Sequence, residues 1–171
     1  MGKITFIVGG ARSGKSSHAL ELAAGYTKVA YIATAEAKDK EMQQRIKRHK
    51  RSRPAHWKTF EESLDLEKTV KSKDFNFECV IIDCLTLLVS NLMLAGAAPK
   101  VIQKTMSSLA DTLQKLPARV VIVSNEVGLG IVPANALART FRDTAGSVNQ
   151  LFAKKSANVI FMVSGLPIKV K

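Results

Sequence analysis

The amino-acid sequence predicts an α/β fold in which a mostly parallel sheet lies between two layers of helices. Three observations carry this prediction: five short apolar runs, helical stretches between them, and a glycine-rich loop directly after the first run. Because the runs are apolar almost throughout, each strand should be covered on both faces, as in three-layer parallel sheets. The predicted strands are Ile4–Val8, Val29–Ala33, Val80–Asp83, Val120–Ser124 and Val159–Val163, with Ile168–Val170 as an edge strand after a Gly165–Pro167 turn.

The first predicted strand leads directly into a phosphate-binding loop. The loop reads Gly9-Gly10-Ala11-Arg12-Ser13-Gly14-Lys15-Ser16, which has the pattern G-x-x-x-x-G-K-S. Its three glycines allow positive φ and close backbone approach, so that successive N–H groups surround an anion. A helix predicted over 15–24 adds its N-terminal dipole. We therefore expect a nucleoside triphosphate here, with Lys15 on its β- and γ-phosphates and the Ser16 hydroxyl on Mg²⁺.

Polar residues follow the other predicted strands where the ligand of such a sheet binds, at the carboxyl ends. Asp83 ends the apolar run Val80–Asp83 and has the form of a Walker B acid, which would hold Mg²⁺ opposite Ser16. Thr34 follows the second strand and Glu126 the fourth. Asp83 and Glu126 are both candidates for the base of a kinase reaction. Candidate lining residues for a second substrate are Asn91, Asn125, Arg139 and Arg142.

Length and composition favour one domain, residues 1–171, that functions as a nucleotide-binding catalytic unit. Hydrophobic residues make up 46% and charged residues 23%, which is ordinary for a globular protein. No apolar run approaches the ~20 residues that span a bilayer, and no signal peptide is evident, so we expect a cytoplasmic protein without stable membrane insertion. The cysteines, Cys79 and Cys84, flank an apolar run and are predicted to be reduced, buried thiols.

A basic segment at 38–58 carries much of the formal charge of +12. Such a segment attracts phosphate-rich partners, either nucleotides or nucleic acid, although a solvated helix face is the structural alternative. Its two acids are Asp39 and Glu41, and its nine basic residues are Lys38, Lys40, Arg45, Lys47, Arg48, Lys50, Arg51, Arg53 and Lys58.

His49 lies in a basic helix predicted over 39–52, where Met42, Ile46 and His49 share one face. One interpretation is a structural histidine, either packed beside apolar neighbours or on the surface. The other is a nucleophile, because a neutral imidazole attacks phosphorus and the surrounding cations would stabilise a triphosphate under attack. His18 is predicted to be a packing or surface residue, and His56 is a secondary candidate that could touch a base or help orient His49. The residue pattern alone leaves both interpretations of His49 open.

Further segments accompany the phosphate loop in order along the chain. They read RIKRHKRSRPAHW at 45–57, DCLT at 83–86, SNEVGLGIVP at 124–133, RTFRDTAGSVNQ at 139–150 and SGLPIKVK at 164–171. With the loop, they resemble the bifunctional adenosylcobinamide kinase / adenosylcobinamide-phosphate guanylyltransferase family of cobalamin synthesis over essentially the full length. The resemblance implies a RecA-like P-loop fold, a homotrimer, no nucleic-acid partner, and substrates ATP, GTP, adenosylcobinamide and adenosylcobinamide phosphate.

The same resemblance implies two reactions. A triphosphate phosphorylates adenosylcobinamide, and GTP then guanylylates a histidine, from which GMP passes to adenosylcobinamide phosphate to give adenosylcobinamide-GDP. The histidine position falls on His49. Some relatives carry a second histidine immediately before it, where this chain has Arg48. The implied nucleotide contacts are the whole phosphate loop from Gly9 to Ser16, then Thr34, Ala35, Glu36, Lys50, Arg51, Ser52, Arg53, Glu61 and Asp83.

Two other functions compete with this hypothesis. A single-function P-loop kinase of small molecules would use Lys15 and Asp83 but give His49 no covalent role. A nucleic-acid binder would use the basic charge, but aromatic residues make up only 6% of the chain and no stacking motif lies on a strand. Neither alternative accounts for the motifs of the C-terminal half.

Overall fold

The computed structural model describes residues 3–37 and 39–171, so Lys38 of the basic segment lies outside the described residues. Strands and helices alternate through most of this range. The elements are β1 (Ile4–Gly9), α1 (Lys15–Ala23), β2 (Val29–Ala33), α2 (Lys40–Arg51), β3 (Lys58–Glu61), α3 (Leu66–Val70), β4 (Cys79–Asp83), α4 (Leu85–Leu94), α5 (Pro99–Lys115), β5 (Arg119–Asn125), α6 (Ala136–Lys155), β6 (Asn158–Val163) and β7 (Leu166–Lys169).

The strands form one seven-stranded sheet in the order β3-β2-β4-β5-β1-β6-β7. All neighbouring pairs are parallel except β6 and β7, which confirms the mostly parallel α/β sheet. The register places Asp83 opposite Ala33 and Gly9 opposite Asn125. The carboxyl ends of β1, β2, β4 and β5 therefore meet at one edge, where the phosphate loop begins.

Helices cover both faces of the sheet, as the apolar strands predict. On one face, strand residues such as Phe6 and Ile82 are buried with Leu88, Met106 and Phe152 of α4, α5 and α6. The other face, which includes Ile81, packs with the side of α1 that carries its buried alanines. This alternation along each strand gives the three predicted layers. Among the described residues, no helix is sufficiently long and apolar to cross a membrane.

The strand β3 and the position of β7 differ from the sequence prediction. The four residues of β3, Lys58–Glu61, are mostly exposed, and only Phe60 is half-buried. An edge strand of this kind has no apolar run, so its pairing with β2 is decided by tertiary contacts. β7 starts at Leu166, two residues before the predicted Ile168, and Pro167 lies within it, which an edge strand tolerates.

The phosphate loop uses its glycines differently from the prediction. Gly14 has the expected positive φ, at 92°, whereas Gly9 and Gly10 do not, and Arg12 adopts a φ of 55° instead. Gly9 is required for space, because a Cβ there would lie 2.5 Å from the carbonyl oxygen of Met162 on β6. A Cβ on Gly10 would meet nothing within 4 Å. Close strand packing therefore explains Gly9, and backbone conformation explains Gly14.

Substitution of Gly9 by alanine should displace the start of the phosphate loop. The clash involves the backbone of β6, which cannot rotate away, so we expect a loss of about 1–3 kcal/mol in unfolding free energy, as for other overpacked sites. Nucleotide affinity should fall with it. Urea unfolding and nucleotide titration check this result, and Gly25→Ala is the matched control, since an added Cβ there meets nothing within 4 Å. Equal stability of the two variants would contradict the expected clash.

Both thiols are buried within the sheet layer, in agreement with the sequence prediction. Burial raises the pKa of Cys79 to about 11, and burial together with the Asp83 carboxylate raises the pKa of Cys84 to about 12. An unfolded thiol has a pKa of about 8.5. Because both pKa values rise on folding, the stability that the protonated thiols contribute is complete below about pH 8.5 and is lost as pH rises toward 11–12.

We therefore expect neither thiol to react with iodoacetamide at pH 8 in the folded protein. Both should react in 6 M guanidinium chloride. The urea concentration at the midpoint of unfolding should decrease as the pH is raised from 8 to 10.5. Mass spectrometry of the alkylated protein measures the first effect, and urea melts measure the second. Rapid alkylation of either thiol in the native state would show that its strand opens locally.

Candidate nucleotide-binding and catalytic site

The first turn of α1 meets the end of β4 through Ser16 and Asp83, which are far apart in sequence. The Ser16 hydroxyl donates a hydrogen bond to Asp83 Oδ2 at 2.8 Å. The two oxygens named from the motifs are thus brought together at the carboxyl edge of the sheet. They lie beside the loop whose N–H groups would surround a phosphate.

Tyr31 joins this pair from β2. Its hydroxyl donates to the same oxygen, Asp83 Oδ2, at 2.5 Å, and its side chain is buried. Burial, reinforced by the Asp83 carboxylate, raises the pKa of Tyr31 well above its usual range, so the phenol stays protonated and remains a donor. Tyr31 could not be recognised as a site residue from the sequence, since an aromatic residue within an apolar strand indicates core packing.

The phosphate-loop lysine is directed back into its own loop. Lys15 is 7% exposed, and its ammonium group donates to the carbonyl oxygen of Gly10 and lies 3.4 Å from Ser13 Oγ. The turn between β6 and β7 supports the loop from outside, because the Gly165 N–H donates to the Ser13 carbonyl oxygen at 3.1 Å. This contact explains part of the C-terminal SGLP segment, which sequence reasoning could not assign.

Thr34 holds the end of β4 from the neighbouring strand. Its hydroxyl accepts from the Cys84 N–H and donates to the Cys84 carbonyl oxygen, both at 2.8 Å. Asn91 of α4 completes this support, because its side-chain amide donates to the Thr34 carbonyl oxygen at 2.8 Å and to the Ser63 carbonyl oxygen at 3.2 Å. Thr34 and Asn91 are both buried, so their roles toward a ligand stay predictions.

The helix α2 presents the face that its periodicity predicts. Met42, Ile46 and His49 are half-buried, whereas Arg48 and Lys50 are exposed. The Asp39 carboxylate caps the helix by accepting the Met42 N–H at 2.7 Å, and basic residues occupy the last turn, where they complement the helix dipole. Among the hydrogen bonds of the described residues, none joins the His49 imidazole to the phosphate loop.

Two cavities lie beside the C-terminal part of α2 and the edge strand β3. The ion pair between Lys50 and Glu61 lines both of them. The first cavity, of about 330 Å³, is lined by Lys50, Arg53, Pro54, Ala55, Trp57, Thr59 and Glu61. The second, of about 460 Å³, is lined by Ala33, Ala35, Glu36, Ala37, Gln43, Ile46, Lys47, Lys50, Glu61, Glu62 and Ser63. Most of the predicted nucleotide-contacting residues outside the phosphate loop therefore line these cavities. Two that do not are Arg51, which is exposed, and Ser52, whose hydroxyl donates to the His49 carbonyl oxygen at 2.9 Å.

Comparison with known proteins assigns this arrangement to a family. The family model for CobU, described as cobinamide kinase / cobinamide phosphate guanyltransferase, matches residues 5–170. This chain belongs to the CobU family. It is 46% identical over 166 residues to the bifunctional adenosylcobalamin biosynthesis protein CobP of Pseudomonas aeruginosa, covering 96% of this chain and 95% of the relative. It is 41% identical over 177 residues to CobU of Salmonella typhimurium, covering 96% and 98%.

A solved structure confirms the fold of this CobU-family chain. The KaiC-like protein PH0186 of Pyrococcus horikoshii is similar with a TM-score of 0.51, over 93% of this chain and 70% of that one. At 14% identity the similarity concerns the fold alone. The predicted α/β fold with a mostly parallel sheet is therefore confirmed.

The family motifs of the C-terminal half form one buried hydrogen-bond network in this CobU-family chain. Ser124 on β5 donates to Asn149 on α6 at 2.7 Å and lies 3.0 Å from the hydroxyl of Thr86 on α4. Thr86 in turn accepts the Asn125 N–H at 2.6 Å, and Asn149 donates to the Asn125 carbonyl oxygen at 3.1 Å. The network fixes the end of β5 beside the phosphate loop.

The remaining candidates are Glu126, which follows β5, and Arg139 and Arg142 on α6. Glu126 is half-buried; its N–H donates to the Gly9 carbonyl oxygen at 3.0 Å, and its carboxylate accepts the Gly128 N–H at 2.7 Å. Arg139 donates to the carbonyl oxygens of Pro133 and Ala134 and so holds the segment between β5 and α6. Arg142 pairs with the adjacent Asp143 carboxylate at 3.5 Å.

Proposed function

We propose that this CobU-family chain catalyses two consecutive reactions of adenosylcobalamin synthesis within one domain, residues 1–171. With ATP or GTP it phosphorylates adenosylcobinamide, and with GTP it then converts adenosylcobinamide phosphate to adenosylcobinamide-GDP. The observation that carries this proposal is the phosphate loop with its Ser16–Asp83 pair, in a chain that matches the family over residues 5–170. Access to nucleoside triphosphates favours a cytoplasmic location.

In the kinase reaction the loop binds the triphosphate through its N–H groups, and Lys15 moves from the Gly10 carbonyl oxygen to the β- and γ-phosphates. The substrate hydroxyl attacks the γ-phosphorus, a P–O bond forms, and the bond to the β-phosphate oxygen breaks. Asp83 already accepts two hydroxyl donors, which leaves Glu126 as the better placed base. Alignment and charge neutralisation supply most of the rate of such a transfer.

The residues at the sheet edge fit a Mg²⁺ ion. Mg²⁺ takes oxygen ligands, usually one or two from the protein and the others from phosphates and water. The Ser16 hydroxyl and the Asp83 carboxylate are such oxygens, and they already lie 2.8 Å apart. When bound there, the cation neutralises charge that develops on the phosphates.

In the second reaction, His49 is the nucleophile. A neutral imidazole nitrogen attacks the α-phosphorus of GTP, a P–N bond forms, and pyrophosphate leaves with the electron pair of the broken P–O bond. The phosphate of adenosylcobinamide phosphate then attacks the same phosphorus, and the P–N bond breaks to release imidazole. Lys50 and Arg53 line the adjoining cavity and would stabilise the leaving pyrophosphate, while Arg48 would add charge where some relatives have a histidine.

A homotrimer is the assembly that the family resemblance implies. The segment between β5 and α6 exposes the side chains of Leu129, Ile131 and Val132, a surface that a second copy would cover. Light scattering after gel filtration measures the mass directly. A monomer at micromolar concentration would remove this part of the proposal and leave the two reactions unaffected.

Two labelled nucleotides test the proposal. With Mg²⁺ and GTP labelled at the α-phosphate, label should remain on the protein after denaturation, and it should be acid-labile and alkali-stable. Addition of adenosylcobinamide phosphate before denaturation should remove this label from the protein. With ATP labelled at the γ-phosphate, label should appear on adenosylcobinamide. Transfer from ATP without any retained guanylyl label would reduce the function to a single-function kinase, and no transfer in either assay would overturn the proposal.

A further inference from the structure

We propose that Tyr31 is a positioning residue that couples the histidine-bearing helix α2 to the Mg²⁺-binding carboxylate of Asp83. This inference rests on the function proposed above. Tyr31 contacts both Asp83 and the segment that follows α2. Its hydroxyl donates a hydrogen bond to Asp83, and the guanidinium of Arg53 stacks on its ring. One buried side chain thus contacts both the carboxylate at the end of β4 and the residue that follows the last turn of α2.

The hydroxyl of Tyr31 fixes the orientation of Asp83. The Tyr31 and Ser16 hydroxyls both donate to Oδ2, at 2.5 Å and 2.8 Å, so the carboxylate is held in one position before a cation binds. Tyr31 itself is 2% exposed and lies within β2, which leaves it little freedom to move. Partners that orient a ligating carboxylate in this way change metal affinity or activity by about 10–100-fold when removed.

The guanidinium of Arg53 stacks on the ring of Tyr31. The guanidinium carbon lies 3.6 Å from the ring centroid, within cation–π distance, and Arg53 Nη1 also donates to Thr59 Oγ1 at 3.3 Å. The Arg53 Nε is buried and has no hydrogen-bond partner among the described residues. Arg53 also lines the 330 Å³ cavity, so its stacking on the Tyr31 ring places the guanidinium charge at that wall.

Arg53 in turn fixes the end of α2. Its N–H donates to the Lys50 carbonyl oxygen at 3.3 Å, in the turn that directly follows His49. A shift of Arg53 on the Tyr31 ring therefore moves the last turn of α2 and the histidine with it. In this way the position of Asp83 is communicated to His49 through a single side chain.

Two variants separate the hydroxyl from the ring. Tyr31→Phe keeps the aromatic ring beneath Arg53 and removes the hydroxyl that bonds Asp83, so the Mg²⁺ concentration for half-maximal guanylyl labelling should rise about tenfold with the maximum nearly retained. Tyr31→Leu also removes the ring on which Arg53 stacks, so the maximal guanylyl labelling should be about tenfold lower than in Tyr31→Phe. Tyr26→Phe is the matched control, because Tyr26 packs against the same face of the sheet outside the site.

Fluorescence of Trp57, the only tryptophan of the chain, supplies a readout that needs no turnover. Trp57 is 7% exposed, packs in one cluster with Tyr31 and lines the cavity beside Arg53. Titration of Mg²⁺ in the presence of a non-hydrolysable GTP analogue should show the same tenfold weaker response in Tyr31→Phe. Thermal melts establish that each variant is folded, and Tyr31→Met, which also lacks the aromatic ring, takes the place of Tyr31→Leu if that variant does not fold.

A Mg²⁺ dependence of Tyr31→Phe within twofold of the wild type would overturn the coupling to Asp83. Equal maximal labelling in Tyr31→Phe and Tyr31→Leu would overturn the coupling to α2. If the wild-type protein takes no guanylyl label, the proposed function fails instead, and the fluorescence titration still decides whether Tyr31 sets the response to Mg²⁺.

Discussion

Replacement of His49 by alanine will abolish the retained guanylyl label while the phosphorylation of adenosylcobinamide continues. Loss of the nucleophile in a covalent mechanism costs on the order of 10⁴-fold or more in rate, so the synthesis of adenosylcobinamide-GDP should fall below detection. The kinase reaction has no covalent step. It depends on the phosphate loop and Asp83, which the His49→Ala substitution leaves in place. The measurement is the ratio of the two labelled products, from γ-labelled ATP and α-labelled GTP, in the same preparation.

His18→Ala is the matched control for this experiment. His18 lies on α1, where its Nδ1 atom is 3.2 Å from the Glu21 carboxylate, and its loss should leave both labels unchanged. His56→Ala reports separately on the exposed histidine whose ring contacts the edge of Trp57. Full guanylyl transfer by His49→Ala would assign His49 to helix packing and favour the single-function kinase. Parallel loss of both activities would indicate that His49 supports nucleotide binding in general.

Replacement of Lys15 by alanine should instead remove both activities. The ammonium group is the cation that reaches the β- and γ-phosphates, and its charge balances the phosphates in either reaction. Removal of one such preorganised group costs about 10²–10³-fold in kcat. Initial rates of both reactions at saturating nucleotide measure this effect, and circular dichroism establishes folding, because Lys15 is buried against Gly10 and Ser13.

Lys28→Ala is the corresponding control, since Lys28 is exposed and precedes β2 at the opposite end of the sheet from the phosphate loop. It should retain both activities. If Lys15→Ala kept more than about a tenth of either rate, the charge at the phosphates would have to come from Lys50 on α2 and from Arg53 just after it, which line the cavity. The double variant with Arg53→Met would then distinguish the two sources of charge.

Local sequence patterns predicted most of the sheet and the chemistry at its edge. Strands that are apolar on both faces, such as Val29–Ala33 and Val120–Ser124, identified themselves by composition, because only burial on both sides tolerates such runs. The phosphate-loop motif and the strand-terminal acid predict Ser16 and Asp83 as a pair of Mg²⁺ ligands, and their side chains lie 2.8 Å apart in the structure. The apolar face of α2 with Met42 and Ile46 also followed from spacing.

Features that depend on distant partners did not follow from pattern. The strand β3 has a polar sequence and forms because β2 offers it a pairing edge. Tyr31 was indistinguishable from a core aromatic until its hydroxyl was found beside Asp83. The polar residues Thr86, Ser124 and Asn149 stood in separate motifs, and only the fold brings them into one network.

The sequence by itself therefore determined the fold class, the phosphate loop and, through its ordered motifs, the family. These are local or strictly ordered properties, since periodicity, glycine spacing and motif order need no knowledge of what packs where. The tertiary structure decided which side chains share an atom or a cavity: Tyr31 with Asp83, Arg53 with Tyr31, and Lys50 with Glu61. Such contacts depend on strand order and register, and the physical reason is that burial brings together residues far apart along the chain.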